Sequence, residues 1–324
     1  MSPAENSSRR APAAFAVVDW GTSSFRGWLM SADGAALAES RGSEGMLHCA
    51  AAAAGGAGFA PVLRDHLARL GAPAGVPVLI CGMAGARQGW AEAPYLRIPT
   101  RLVALHEGAI RIDAPGDIRI LPGIAQAGAD RPDVMRGEET QLLGVTEPDF
   151  TGLVCIPGTH SKWIRFEAGR IVEFSTYMTG ELYSVIAQHS ILAHAVETAG
   201  SGAGPLAADS QAFREGLATA PAAPTALTAS LFRLRAAQLL GFEQRADGAA
   251  RLSGILIGTE LADAARLHGP FRSVRLIGAG SLGRLYEAAL IGQDLNVTAV
   301  DAEQASRLGL AKAAIALWGA KVKT

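Results

Sequence analysis

FAVVDWGTSSFRGWLM, residues 15–30, and LVCIPGTHSKWIRF, residues 153–166, both run an apolar strand into a Gly-Thr-x-Ser turn and out along a second strand. Phe15-Ala-Val-Val is a buried strand by its unbroken apolar character, and FRGWLM at 25–30 returns beside it. Asp33-Gly34 then supplies a hairpin turn into a third strand, AALAES at 35–40. In the second stretch, Ala168-Gly169 turns KWIRF into a third strand, RIVEF at 170–174. The order strand, Gly-Thr turn, strand, Gly turn, strand thus occurs twice, with its first glycine at 21 and again at 158. Repetition on that scale implies two halves of like fold; the plainer alternative is two hairpins that resemble each other by chance.

Working outward, a helix is predicted over 58–70, where Phe59, Val62, Leu63, Leu67 and Leu70 share one face. VPVLICGM at 76–83 is a further buried strand ending in the loop AGARQGW. Residues 91–134 are rich in Pro and Gly with short strands such as DIRIL, and read as the stretch between domains. After the second hairpin the text predicts helices over 178–197, 226–240 and 251–267, with loop-like SGAGPLAAD and PAAP between the first two. A strand at 274–278, a helix opened by GSLG, a strand at 295–300 and an amphipathic helix over 301–318 close the chain. Strands and helices alternate, so the class is α/β. The expected domains are a disordered leader at 1–12, an N-terminal domain at 13–133 and a C-terminal domain at 134–324, the last helix packing back on the first domain.

The 324 residues are 49% hydrophobic and 18% charged, a soluble globular composition rather than a disordered one. Lys+Arg 29 against Asp+Glu 30 leave a net charge of −1, with no basic stripe to suggest nucleic acid or an anionic membrane. Cys49, Cys81 and Cys155 are odd in number and lack C-x-x-C spacing, which argues against a disulfide framework and a zinc site. The apolar run after Arg9-Arg10 stops at Asp19 before any cleavage site, and 49–59 is Ala and Gly, so a cytoplasmic protein is expected. The oligomeric state stays open, a homodimer included.

Chemistry gathers at a few places. Asp19 stands at a strand end, followed by Gly21, Thr22, Ser23 and Ser24, whose hydroxyls and backbone N–H groups can wrap phosphate oxygens while the carboxylate holds magnesium through water. Gly158, Thr159, His160 and Ser161 form a second such turn, and two facing turns would clamp a triphosphate. An ordinary hairpin turn is the alternative for each. Lys162 is one of four lysines in an arginine-rich chain and follows the second turn, as a phosphate cation or a solvated strand residue. MRGEETQLLG at 135–144 opens a helix with Glu138 and Glu139, which either stabilise the helix dipole or supply a general base, with Arg136 beside them. The loop GMAGARQGW, carrying Gly85, Arg87 and Trp90, sits at a strand end suited to an anionic substrate group. Gly278, Gly280 and Gly283 complete a G-x-G-x-x-G between strand and helix, with Asp301 near the end of the next strand. That pattern suits a dinucleotide, another nucleotide contact or tight helix packing; only residues 302–324 remain beyond Asp301, too few for a full dinucleotide fold.

Together, DWGTSSFRGWL, GMAGARQGW, EAPY, MRGEETQLLG, PGTHSKW, MTGELY, HSIL and SGILIGTEL resemble the 2-dehydro-3-deoxygalactonokinases from about residue 15 to the end. The resemblance implies two ribonuclease-H-like domains of duplicated topology with ATP in the cleft between them, as in the sugar kinase, heat-shock chaperone and actin superfamily. It implies a first phosphate motif at Asp19–Ser24, a second at Gly158–Lys162 and an adenosine motif at Gly278 and Gly280. It further implies Mg2+-dependent transfer from ATP to the 6-hydroxyl of 2-dehydro-3-deoxy-D-galactonate in galactonate catabolism. Arg87, Gly85, Trp90 and Arg136 are the expected sugar-acid residues. Related kinases place an aspartate as base where this chain has Glu138 and Glu139. The alternatives are another sugar acid such as 2-keto-3-deoxygluconate, a non-catalytic ATP-binding module, and an NAD-dependent dehydrogenase.

Overall fold

The computed structural model describes residues 12–52, 58–196, 208–219 and 226–319. Residues 1–11 of the expected leader at 1–12, residues 201–207 of the SGAGPLAAD stretch and all of PAAP at 221–224 lie outside the described residues. The chain divides into two compact units, Met1–Pro148 with Glu303–Thr324, and Asp149–Ala302.

The first unit opens with a meander of β1 (Ala13–Trp20), β2 (Phe25–Ser31) and β3 (Ala36–Gly42). Helices α1 (Met46–Ala52) and α2 (Phe59–Arg69) follow, then β4 (Val78–Gly82). Short strands come next: β5 (Tyr95–Arg97), β6 (Thr100–Arg101), β7 (Ile110–Arg111), β8 (Ile118–Ile120), β9 (Gly123–Gln126) and β10 (Asp133–Met135). Helix α3 (Glu138–Val145) completes this part of the chain. The main sheet runs β3-β2-β1-β4-β8-β7. β1 pairs antiparallel with β2 and parallel with β4, placing Asp19 opposite Arg26 on one side and Cys81 on the other. Val18, Trp20, Phe25, Phe59, Leu63, Ile80 and Ile120 build its core.

Residues 91–134 are thus not a linker: β8 pairs with β4 and extends the main sheet. The expected boundary at 133/134 falls inside this unit. α3 belongs here because its backbone meets that of the last helix, α9 (Ala302–Trp318).

The second unit repeats the plan with β11 (Gly152–Ile156), β12 (Ser161–Glu167) and β13 (Arg170–Tyr177). Ala168 and Gly169 both take positive φ, 47° and 74°, in the tight turn between the last two. Helices α4 (Thr179–His189), α5 (Gln211–Thr219), α6 (Leu227–Leu239) and α7 (Gly248–His268) precede β14 (Ser273–Gly278), α8 (Gly280–Ile291) and β15 (Asn296–Asp301). The sequence reading does not anticipate α1 and α5: α1 is short and Ala-rich, and α5 is short and adjoins residues of loop-like composition. Within the unit the strands run β15-β14-β11-β12-β13, with β11–β14 and β14–β15 parallel. In strand order, β3-β2-β1-β4-β8 and β13-β12-β11-β14-β15 are the same: an antiparallel meander, then two parallel strands reached by crossovers. α9 then carries the chain back into the first unit. There Trp318 donates from Nε1 to Asp117 (3.0 Å) and its ring lies 6.2 Å from Phe15.

Among the described residues, no helix is long and apolar enough to cross a membrane. All three cysteines are buried and unbridged.

Candidate active site

In the first unit the site begins where β1 ends. Trp20 turns into the core against Phe25 and Phe59, and its indole N–H donates to the Glu44 carbonyl (2.9 Å), which fixes the strand end. The turn is closed by the Gly21 N–H on the Ser24 carbonyl (2.9 Å), leaving Thr22 and Ser23 exposed. Amides of Met46 and Leu47 hold its outer carbonyls at 2.9 and 3.1 Å. Gly45 is required beside it, since a Cβ there would lie 2.5 Å from the Ser23 backbone.

Asp19 is 7% exposed and meets Arg26 at 3.2 Å. Burial pushes its carboxyl up; Arg26 and a hydrogen bond from Ser306 pull it down, while Glu138 and Glu303 add like charge. Arg26 also lies 3.7 Å from Glu303. Asp19 is thus a buried carboxylate at a strand end, already paired with Arg26, beside a turn whose Thr22 and Ser23 face solvent. No cluster of three or more metal-ligating side chains exists among the described residues.

β4 ends beside β1 at Gly82, whose φ of 88° and lack of a Cβ let it lie against the Trp20 carbonyl, 2.6 Å from where a Cβ would sit. Gly137, also at positive φ, approaches Gly82 and starts α3 there. The two glutamates then part company. Glu139 is 1% exposed, takes the Gly137 N–H on both oxygens at 2.8 Å, and is pushed up to about 8, burial first and Glu138 second. Glu138 is half-buried and accepts the Arg136 N–H at 3.0 Å.

The expected sugar-acid residues are spread unevenly. Arg136 and Gly85 touch: a Cβ on Gly85 would lie 2.9 Å from Arg136 Nη1. The guanidinium is stacked on Tyr95 at 4.3 Å and donates to the Ala93 carbonyl at 2.8 Å, while Nε and Nη1 have no hydrogen-bond partner. Arg87 points to solvent, 81% exposed, 3.6 Å from Glu92. Trp90 instead stacks on Phe59 at 5.9 Å and faces Trp20, a packing position.

In the second unit, β11 leads to the turn Pro157–His160. Gly158 and Thr159 lie against the start of α4, where a Cβ on Gly180 would meet the Gly158 carbonyl at 2.4 Å; Glu181 N–H donates to Thr159 O at 3.0 Å. His160 and Glu181 pair at the surface. Lys162 is buried, its Nζ 3.4 Å from the His160 carbonyl. A cavity of about 240 Å³ opens between this turn and α8, with Gly158, Thr159, Gly180, Ser281 and Leu282 in its wall.

Gly278 and Gly283 are in contact, a Cβ on the former lying 3.0 Å from the latter, so this pair joins β14 tightly to α8. Gly280 has φ 59° and open space where a Cβ would be. The dinucleotide reading fails here: the motif follows the fourth strand of a unit whose first three are antiparallel, with one strand left after it.

Ser161 differs from expectation. Its side chain is fully buried and donates to Glu260 at 2.6 Å, so only its backbone is available to a phosphate. Sequence reasoning did not single out Glu260, Tyr286, Arg26 or Ser306. Arg26 was within reach, being opposite Asp19 across a short hairpin, and Glu260 lies in the SGILIGTEL stretch quoted for the resemblance.

Two units of one strand order, each with a hydroxyl-bearing turn after its first strand, define the two-domain fold of sugar kinases and actin-like ATPases. The chain belongs to the 2-keto-3-deoxy-galactonokinase family, whose model matches residues 19–313. It is a kinase, a phosphotransferase with an alcohol acceptor. It is 51% identical over 307 residues to the protein of Rhizobium meliloti (strain 1021) named "Probable 2-dehydro-3-deoxygalactonokinase DgoK1", covering 94% of this chain and 97% of that one. To the 2-dehydro-3-deoxygalactonokinase of Escherichia coli (strain K12) it is 33% identical, over 92% of this chain and 96% of that one. A crystal structure from Sinorhizobium meliloti, assigned to the same kinases, superposes with a TM-score of 0.88 at 50% identity, covering 94% of this chain and 99% of that one.

Proposed function

We propose that the protein transfers the γ-phosphoryl group of ATP to the 6-hydroxyl of 2-dehydro-3-deoxy-D-galactonate, with magnesium. The observation that carries this is the convergence of Asp19, the Gly21–Ser24 turn and the start of α3 at the ends of β1 and β4, in a member of this kinase family.

Glu138 is the general base: it is half-buried, whereas Glu139 is sealed and bound to the Gly137 amide. It takes the proton of the 6-hydroxyl as that oxygen bonds to the γ-phosphorus and the bond to ADP breaks. The turn amides at Gly21–Ser24 and Gly158–Lys162 neutralise phosphate charge, with Lys162 as a cation, and Gly278 and Gly280 let backbone approach the adenosine. Asp19 is the carboxylate that would hold magnesium. Bound magnesium supplies charge neutralisation at the phosphates. Arg87 takes the 2-keto carboxylate, its exposed guanidinium exchanging the Glu92 carboxylate, 3.6 Å away, for that anion.

ADP release measured across a panel of sugar acids tests the assignment. Turnover should be greatest with 2-dehydro-3-deoxy-D-galactonate; preference for the gluconate epimer or an unrelated acid would replace this substrate with that one.

A further inference from the structure

Glu260 lies on α7, far in sequence from the second phosphate turn, and is only 2% exposed. Four side chains donate to its carboxylate. Oε2 receives the hydroxyls of Ser161 (2.6 Å), Tyr286 (2.6 Å) and Thr179, and Oε1 the Trp163 indole N–H (2.8 Å). Three of the donors are 0% exposed and Thr179 is 9%. Each comes from an element bordering the nucleotide motifs. Ser161 begins β12 at the end of the second phosphate turn, with Trp163 two residues on. Thr179 begins α4, whose Gly180 presses on that turn, and Tyr286 is on α8 behind Gly280. Thr179 and Gly180 also line the 240 Å³ cavity.

Burying a carboxylate costs desolvation, and here four donors from separate elements satisfy it and are thereby held to one acceptor. We infer that Glu260 is a positioning residue for the nucleotide: it holds the second phosphate turn, the start of α4 and α8 in one arrangement through Ser161, Thr179 and Tyr286. This inference rests on the assignment of ATP to that turn. Packing alone would need no hydrogen-bond acceptor here, and an apolar side chain would serve it as well.

The test is Glu260→Gln, which keeps the shape but sets an NH2 group or a neutral carbonyl against hydroxyls that all donate to Oε2. The KM for ATP should rise about tenfold, with the KM for the sugar acid within about twofold. Tyr286→Phe, which removes one donor and fills the same space, should raise the KM for ATP by about threefold. It serves as the readout if the glutamine variant fails to fold. An unchanged KM for ATP in a folded variant, or equal changes in both KM values, would overturn the inference. Titration of the unaltered protein with ATP and ADP reads the ATP assignment separately: no binding there means that reading fails, whatever Glu260 does.

Discussion

Glu138 and Glu139 are adjacent in sequence and unlike in chemistry, because the first turn of α3 shows one to the surface and folds the other back on Gly137. Glu138→Gln should lower kcat by ~10²–10⁴ with both KM values nearly kept, as loss of a general base does. If Glu138→Gln turns over normally and Glu139→Gln does not, the roles are exchanged. Glu139 makes a separate thermodynamic prediction. Its folded pKa, about 8, lies above its ordinary 4.5, so between those values the folded state holds more protons than the unfolded. The stability it contributes is complete below pH 4.5 and falls as pH rises toward 8. Urea midpoints from pH 5 to 9 should therefore decline more steeply in the unaltered protein than in Glu139→Gln. Parallel curves would mean that Glu139 is ionised throughout.

At the scale of elements, the contact that matters is α3 against α9. A Cβ on Gly309 would sit 1.8 Å from the Thr140 carbonyl, and one on Gly144 2.1 Å from the Ala305 carbonyl, so the helix backbones touch. Lys312 closes the end of α3 with Nζ 2.9 Å from Leu143 O and 3.0 Å from Gly144 O. The same helix brings Ser306 to Asp19. In an exposed helix, Gly to Ala stabilises by up to ~1 kcal/mol. Here the sign reverses: Gly309→Ala should lower stability by ~1–3 kcal/mol, because the helices must part. A urea titration with unchanged slope and a lower midpoint is the expected result; a raised midpoint would show that the contact is loose.

For the whole molecule, a ligand of the folded state alone stabilises by mass action. ADP at a hundred times its Kd should add ~2.7 kcal/mol and raise Tm accordingly, while NADH at equal concentration should leave Tm unchanged. A shift with NADH and none with ADP would restore the dehydrogenase reading that the strand order excludes. The first unit is not a single run of sequence, since it closes only when Glu303–Thr324 returns to it.

What the sequence determined by itself is local. Apolar runs bounded by Gly-Thr and Asp-Gly turns specify both meanders, because strand pairing across a short turn depends on neighbours in the chain. That Asp19 stands at a strand end and that 157–160 turns between two strands were legible for that reason, as was the repetition that implies two like units. Tertiary structure decided the rest. That 91–134 forms sheet rather than linker depends on β8 finding β4, and that α3 and α9 share a unit depends on glycines 165 positions apart in numbering, 144 and 309. The burial of Glu260 depends on Ser161, 99 residues away, and on Thr179, 81 residues away. A carboxylate's neighbours across such distances leave no periodicity or spacing to read, because side-chain burial is set by packing between elements and not within them.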